Sequence, residues 1–393
     1  MRILLAHNYY VFAGGEDTVF AAEQVLLRQH GHEVSAYIEH NRRIAGIHRL
    51  AAAGQCIWSW TSQHNLQWVL GDGPWDVVHF HNIFPLISPS AYYVCRQLRI
   101  PVVQTVHNYR LLCPAATLFR NGKPCEDCLG KTIYWPGALH GCYRGSYMQS
   151  AVAAAMAAVH RLLRTWQEQV DVYIAPTEFV RDKLIEGGFP EDRIVVKPNF
   201  VHPDPGIAKH REDYALFVGR LVPEKGLSTL LAAWEKVGDI PLKIAGEGPL
   251  LGEITTWIRQ RRLQHVELLG QLSRPDLHEV LRKARVLIFP SAWYEPFGMI
   301  LAEAFACGVP AIASRLGAMA EIVHDGQTGL HFTPGDPSDL AAKVLWAFTH
   351  PELLEQMARR ARSTFESKYH AEENYEMLRN IYQIAMERAH KWT

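Results

Sequence analysis

Apolar residues along this 393-residue chain come in two kinds of run. Short, continuous, largely β-branched runs occupy Arg2–Ala6, Glu33–Ile38, Val77–Phe80, Val102–Val106, Val172–Ala175 and Ile194–Lys197. They return at Tyr214–Val218, Leu242–Ala245, Val266–Leu269, Val286–Phe289 and Ala311–Ala313. Runs without polar alternation predict strands buried on both faces, the condition of a parallel sheet. Between them lie longer stretches with helical spacing, such as Asp17–His30, which Gly31 is placed to terminate, and Leu227–Val237. Strand–helix alternation over this length predicts α/β architecture of the doubly wound type.

The alternation breaks once. The segment from Pro198 to Gly206 carries Pro198, Pro203 and Pro205 with little apolar content, which is linker composition. The pattern predicts two Rossmann-like domains, 1–198 and 213–371, joined by a linker at 199–212 and followed by a helical tail at 372–393. Ligands of such sheets sit beyond the carboxyl ends of the strands. The two domains are therefore expected to face each other across a cleft lined by both sets of loops.

Composition narrows the function. Lys+Arg 40 balance Asp+Glu 40, which removes the basic footprint of a nucleic-acid binder. The 20 histidines are scattered and form no metal-binding tract. A hydrophobic content of 48% excludes global disorder. No apolar run reaches the ~18–20 residues that cross a bilayer, and the segment Met1–His7 reads as a strand rather than an export signal. With seven cysteines in so long a chain, the thiols are expected to be reduced and the protein cytoplasmic.

Candidate chemistry lies in loops after strands. Gly14-Gly15 stands between the first strand and helix, where unhindered N–H groups favour an anion or simply make a tight turn. No G-x-G-x-x-G fingerprint is present there. In Gly219-Arg220-Leu221-Val222-Pro223-Glu224-Lys225-Gly226, two cations five residues apart can straddle a diphosphate, Arg220 as a fork and Lys225 as a point charge. Gly246-Glu247-Gly248-Pro249 would let a flat ring lie against the backbone. In the run Pro290–Ala304, Pro296 marks the expected entry to a helix. The N–H groups of Phe297, Gly298 and Met299 would then face outward at its positive pole, a seat for phosphate. Glu303 sits in the otherwise apolar stretch Met299–Ala306, and Glu295 and Glu303 would contact separate polar parts of one extended ligand.

These motifs, followed by Gly308-Val309-Pro310, Gly317 and Gly326-Gln327-Thr328-Gly329-Leu330, resemble the retaining glycosyltransferases of family 4. The resemblance covers essentially the whole chain and implies the GT-B fold. It implies that Arg220 and Lys225 hold the diphosphate of a nucleoside-diphosphate sugar, and that Glu303 binds the ribose. Glu295, with the backbone of Phe297, Gly298 and Met299, would hold sugar and phosphates. Gly246, Glu247 and Gly248 would lie near the base, and Gly14 and Gly15 near the phosphate and the acceptor. His107 occupies the family's sugar-contacting position, commonly followed there by Asp; here Asn108 follows. The acceptor would be a hydroxyl of a glycan, lipid-linked or small molecule, with peripheral association at the inner membrane face. The chain contains no Asp-x-Asp, so catalysis is expected to need no metal, with Arg220, Lys225 and helix-terminal amides in its place. A nucleotide-sugar epimerase of the same fold and a non-catalytic sugar- or metal-binding protein are the alternatives.

Cys113, Cys125, Cys128 and Cys142 make C-x11-C-x2-C-x13-C in a loop-like segment, Leu112–Arg144. A long loop in a compact domain needs something to order it. Four thiolates suit a structural zinc ion, with His140 as a substitute ligand; an Fe–S cluster or metal-free thiols are the other readings. Trp58, Trp60, Trp68 and Trp135 are expected in the core, with contact to sugar or lipid as the alternative, and Tyr147–Trp166 as a buried domain helix, with a place on a membrane surface as its alternative.

Overall fold

The computed structural model describes residues 1–11 and 14–390. The chain divides into two compact units, one of 1–118, 125–199 and 374–390, the other of 119–124 and 200–373. In chain order the strands are β1 (Arg2–Tyr9), β2 (Glu33–His40), β3 (Val77–Phe80), β4 (Val102–Thr105), β5 (Phe119–Arg120), β6 (Lys123–Pro124), β7 (Val172–Ala175) and β8 (Ile194–Val196). They continue as β9 (Ala215–Val218), β10 (Leu242–Ala245), β11 (Val266–Gly270), β12 (Val286–Phe289), β13 (Ala311–Ser314) and β14 (Gly329–Phe332).

The first unit carries a parallel sheet in the order β2-β1-β3-β4-β7-β8. Every residue of β3, β4 and β7 is buried, as unbroken apolar runs require. Helix Gly15–Gln29 ends where expected: Gly31 adopts φ +78°, and the N–H of His32 returns to the Leu27 carbonyl. The tail expected at 372–393 forms helix Ala371–Ala389. Its Tyr375, Leu378, Tyr382 and Ala385 are buried at helical spacing. Asn374 Nδ2 donates to the Pro198 carbonyl at 2.6 Å, so this helix is an integral part of the first unit.

The second unit carries a parallel sheet in the order β11-β10-β9-β12-β13-β14. Chain order reverses at β9, whose neighbours are β10 on one side and β12 on the other. Strand β14 is absent from the sequence expectation, because Gly329-Leu330-His331-Phe332 is short and interrupted by His331. A core of Phe217, Leu230, Trp234, Ile244 and Ile288 packs helices against the sheet.

The aromatic expectation needs correction. Helix Trp60–Leu70 turns Ser62, Leu66 and Leu70 inward at i, i+4 spacing. Trp60 and Trp68 lie off that stripe, at 73% and 80% exposure, and Trp135 is exposed as well. Helix Tyr147–Leu162 buries only one face: Ala153, Ala154, Met156 and Ala157 are covered, while Tyr147, Met148 and Leu162 are exposed.

Candidate functional site

In the second unit the loops after β9, β10 and β12 gather at the point where strand order reverses, the usual ligand position of such sheets. They are stitched by backbone hydrogen bonds: Leu221 N–H to Glu247 O (2.8 Å), Leu250 N–H to Leu221 O (3.0 Å) and Ala292 N–H to Glu224 O (2.8 Å). Two glycines make this approach possible. A Cβ on Gly226 (φ +70°) would lie 1.9 Å from the Pro290 carbonyl oxygen, and one on Gly246 (φ +142°) 1.9 Å from that of Gly219. Gly246 and Gly248 thus serve the packing of loop on loop.

On this scaffold Glu295 Oε1 accepts from Ser291 Oγ at 2.8 Å, from Trp293 Nε1 at 2.7 Å and from the Lys225 ammonium. Glu295 is buried and Lys225 nearly so, making a largely desolvated pair in which all three bonds fall on Oε1. Arg220, by contrast, is 62% exposed, with Glu224 4.0 Å away. Glu247 is exposed. Glu303 is buried, and burial raises its pKa against the opposing pull of Arg274, whose NH1 is 3.5 Å from Oε1. Arg274, from the start of helix Arg274–Lys283, escaped the sequence reading because nothing in its spacing ties it to Glu303.

The helix entry differs from expectation. Helix Met299–Ala306 begins after Gly298, held at φ +77°, and not at Pro296. The left-handed residue resets the chain direction, so Pro296 belongs to the preceding loop. Among the described residues, the N–H groups of Phe297, Gly298 and Met299 meet no backbone acceptor, which leaves donors at the positive end of the helix. The Phe297 side chain faces inward, edge-on to Tyr369.

In the first unit the loop after β1 ends at Gly14, whose N–H donates to Asp17 Oδ2 at 2.9 Å. Asp17 Oδ1 is 2.7 Å from His7 Nε2. A carboxylate thus occupies the amide that was expected to meet a phosphate, while Gly15 opens the helix and is exposed. His107 follows β4, with its Nε2 3.0 Å from His81 Nδ1 and the two rings stacked. Burial, then His81 and His7, hold its pKa well below the ordinary imidazole value, so the ring is neutral. Asn108 Oδ1 accepts from the Arg110 N–H, and its Nδ2 donates to Glu16 Oε2 at 3.3 Å. His81, His107 and Asn108 also line a small pocket with Thr105 and Arg110.

The family model described as Glycosyltransferase Family 4 matches residues 5–205, and the one described as Glycosyl transferases group 1 matches 202–364. The chain belongs to glycosyltransferase family 4. An uncharacterized glycosyltransferase of Methanocaldococcus jannaschii is 32% identical to this family 4 chain over 54% of its length and 59% of the relative's. The phosphatidyl-myo-inositol mannosyltransferase of Mycobacterium tuberculosis is 33% identical over 47% of this chain and 50% of that protein. The chain spans 59% of the first of these relatives and 38% of a mycobacterial glycogen synthase. Among solved structures, sucrose-phosphate synthase from Thermosynechococcus elongatus superposes with a TM-score of 0.71 at 18% identity, covering 97% of this chain and 98% of that one. Anabaena HepE in complex with UDP gives 0.68 at 16% identity, covering 97% and 99%. Together with the two parallel sheets, these neighbours establish the GT-B fold.

The family 4 chain carries one further cluster, in its first unit. Of Cys113, Cys125, Cys128 and Cys142, Cys113 and Cys128 are buried and the other two half-buried. Burial raises the Cys128 pKa to about 12, and Cys113, Cys142 and Cys125 add to the rise, which places all three near it. No three of the four sulfurs lie within 4.8 Å of one another. The segment between them is less irregular than its composition implies. Asn121 and Gly122, both left-handed, turn hairpin β5–β6, and Trp135–Leu139 is a short helix.

Proposed function

We propose that this protein transfers a sugar from a nucleoside-diphosphate sugar to a hydroxyl of a glycan or lipid-linked acceptor, with retention of anomeric configuration. The observation that carries the reading is the second unit's loop cluster. It combines a buried ribose-type acceptor at Glu303, the Lys225–Glu295 pair, and unengaged amides at the start of helix Met299–Ala306. A diphosphate brought there meets the amides first. Lys225 then shifts part of its charge from Glu295 to the leaving phosphate, and Arg220 closes from solvent. Two ribose hydroxyls donating to Glu303 offset the cost of burying its charge. Positive charge and amides thus do what a divalent cation would otherwise do for the departing group. The binding of UDP and UDP-glucose by Anabaena HepE supports a nucleotide-sugar donor. His107 of the first unit is the residue assigned to the sugar.

Release of nucleoside diphosphate that depends on donor and acceptor, and falls at least 100-fold in Glu303→Ala and Arg220→Ala, is expected (~100-fold is about 2.7 kcal/mol). Full activity in both variants would overturn the site. Conversion of donor without any acceptor would make the protein an epimerase. A lipid-linked acceptor is favoured by the exposed Trp135, Leu139, Tyr147, Met148 and Leu162, which accompany exposed Lys131, Arg144 and Arg164. Sedimentation with anionic but not neutral vesicles checks it. For the cysteine segment we propose structural zinc, supported by the nearness of Cys113, Cys125 and Cys142 to Cys128 and by the left-handed Gly130, which turns the chain between Cys128 and Lys131. Elemental analysis is expected to find one zinc per chain, lost in Cys128→Ser.

A further inference from the structure

The first unit buries a charged cluster to which the donor site gives no role. Glu23 and His79 are fully buried, Lys197 is 1% exposed and His81 2%. Lys197 Nζ donates to Glu23 Oε1 and to Asn374 Oδ1, both at 2.8 Å. Glu23 Oε2 lies 3.3 Å from His81 Nε2 and 3.7 Å from His79 Nδ1. His79 is already used at both nitrogens, by Tyr382 OH at 2.9 Å and Thr105 Oγ1 at 2.7 Å. Neither Glu23 Oε2 nor His81 Nε2 has another hydrogen-bond partner. The two orphaned atoms face each other. Glu23, His79 and His81 also gather three ligand-type atoms. The Lys197 ammonium on the same carboxylate, and the full engagement of His79, rule out a divalent cation there.

The hydrogen positions follow from the chemistry of the groups. Burial works to raise the Glu23 pKa, yet Lys197, then His81 and His79, outweigh it and hold the carboxyl well below its ordinary value. Glu23 is therefore a carboxylate and can only accept. A neutral His81 ring facing that carboxylate at 3.3 Å carries its hydrogen on Nε2, which leaves Nδ1 a lone pair. His107 Nε2, 3.0 Å from that lone pair, must donate. The hydrogen of neutral His107 is thus fixed on Nε2, and its Nδ1 is left as an acceptor.

We propose that Lys197, Glu23 and His81 are positioning residues that lock His107 as its Nε2–H tautomer, so that His107 meets the donor sugar by accepting a hydroxyl hydrogen at Nδ1. The inference rests on the reading of His107 as the sugar-contacting residue. The family resemblance concerns His107 alone; the three residues behind it come from the packing described here.

The test is nitrogen NMR of the full chain with 15N-labelled imidazoles at neutral pH, with the His107 signals assigned by their loss in His107→Gln. A protonated Nε2 and an unprotonated Nδ1 are expected; a protonated Nδ1, or an averaged pair, overturns the proposal. The double variant Glu23→Gln/Lys197→Met removes both charges without stranding either. It is expected to average the two tautomers and lower kcat about tenfold at unchanged KM for the nucleotide sugar. An unchanged tautomer, or an unchanged kcat, in that variant counts against the proposal. If the double variant fails to fold, the spectrum of the unaltered protein still decides. A locked tautomer in a protein that transfers no sugar sinks the transferase reading alone. An averaged tautomer in an active enzyme sinks this one.

Discussion

The two units solve the problem of placing polar groups at sheet ends in opposite ways. The second unit works through its backbone. Gly226 and Gly246 let three loops touch, the amides of Phe297 to Met299 stay available, and the ion pair of Lys225 and Glu295 joins the loops after β9 and β12. The first unit works through buried side chains that arrive from separate elements, with Glu23, His79, His81 and Lys197 meeting behind His107. A backbone-built site tolerates little change in main-chain space but leaves its charges near solvent. A side-chain-built site depends on protonation states instead.

The largest test of that contrast is Gly246→Ala. Its methyl cannot coexist with the Gly219 carbonyl, so a loss of about 3 kcal/mol in stability, together with loss of transfer, is expected from denaturant unfolding and donor turnover. Next comes Lys225→Met, which strands the buried Glu295 carboxylate and removes the cation paired with it. An approximately 100-fold fall in kcat/KM is expected, with the first unit's proteolytic resistance unaltered.

Acid sharpens the comparison from the other side. His7, His79 and His107 have pKa values lowered by burial, and His160 is pushed down to about 4. Such a group stays neutral in the folded protein while the unfolded chain takes up a proton near pH 6.5. Stability is therefore complete above that pH and declines as pH falls through 6.5. Each of these histidines withdraws up to ~2 kcal/mol by pH 5. Asp171, raised to about 6 by burial, works in the opposite sense between pH 4 and 6. Thermal melts from pH 7.5 to 5 are expected to lower the first unit's transition before the second's. The smallest effect is expected at the exposed tryptophans: Trp60→Ser and Trp68→Ser should change the melting free energy by no more than about 0.5 kcal/mol.

This contrast also explains what could be read from the chain alone. The loops of the second unit announce themselves because Gly219 to Gly226 and Pro290 to Glu303 are each contiguous, and because cations and glycines have few other uses at strand ends. Arg274 was hidden because it reaches Glu303 from another helix. In the first unit Gly14, Gly15, His107 and the four cysteines carry a local signal, and the cluster behind His107 carries almost none. Two histidines at the end of a buried strand, His79 and His81, were the available signal, but nothing local ties them to Glu23, Lys197 or Asn374. The strands were legible from apolar continuity, except β14 and the two-residue β5 and β6. The bulk of Trp60 and Trp68 suggests a core position, whereas the inward stripe of that helix is Ser62, Leu66 and Leu70, one of them polar. The true helix start at Met299 turns on the left-handed Gly298, which a rule for proline entry does not see.

Helix Ala371–Ala389 has a consequence for how the protein is made. Its Asn374 and Tyr382 complete the cluster around Lys197 and His79, residues synthesised far earlier. On the ribosome the amino-terminal sheet must wait, with that lysine and its partners incompletely sealed, until residues 371–389 have emerged, after the second unit has been made.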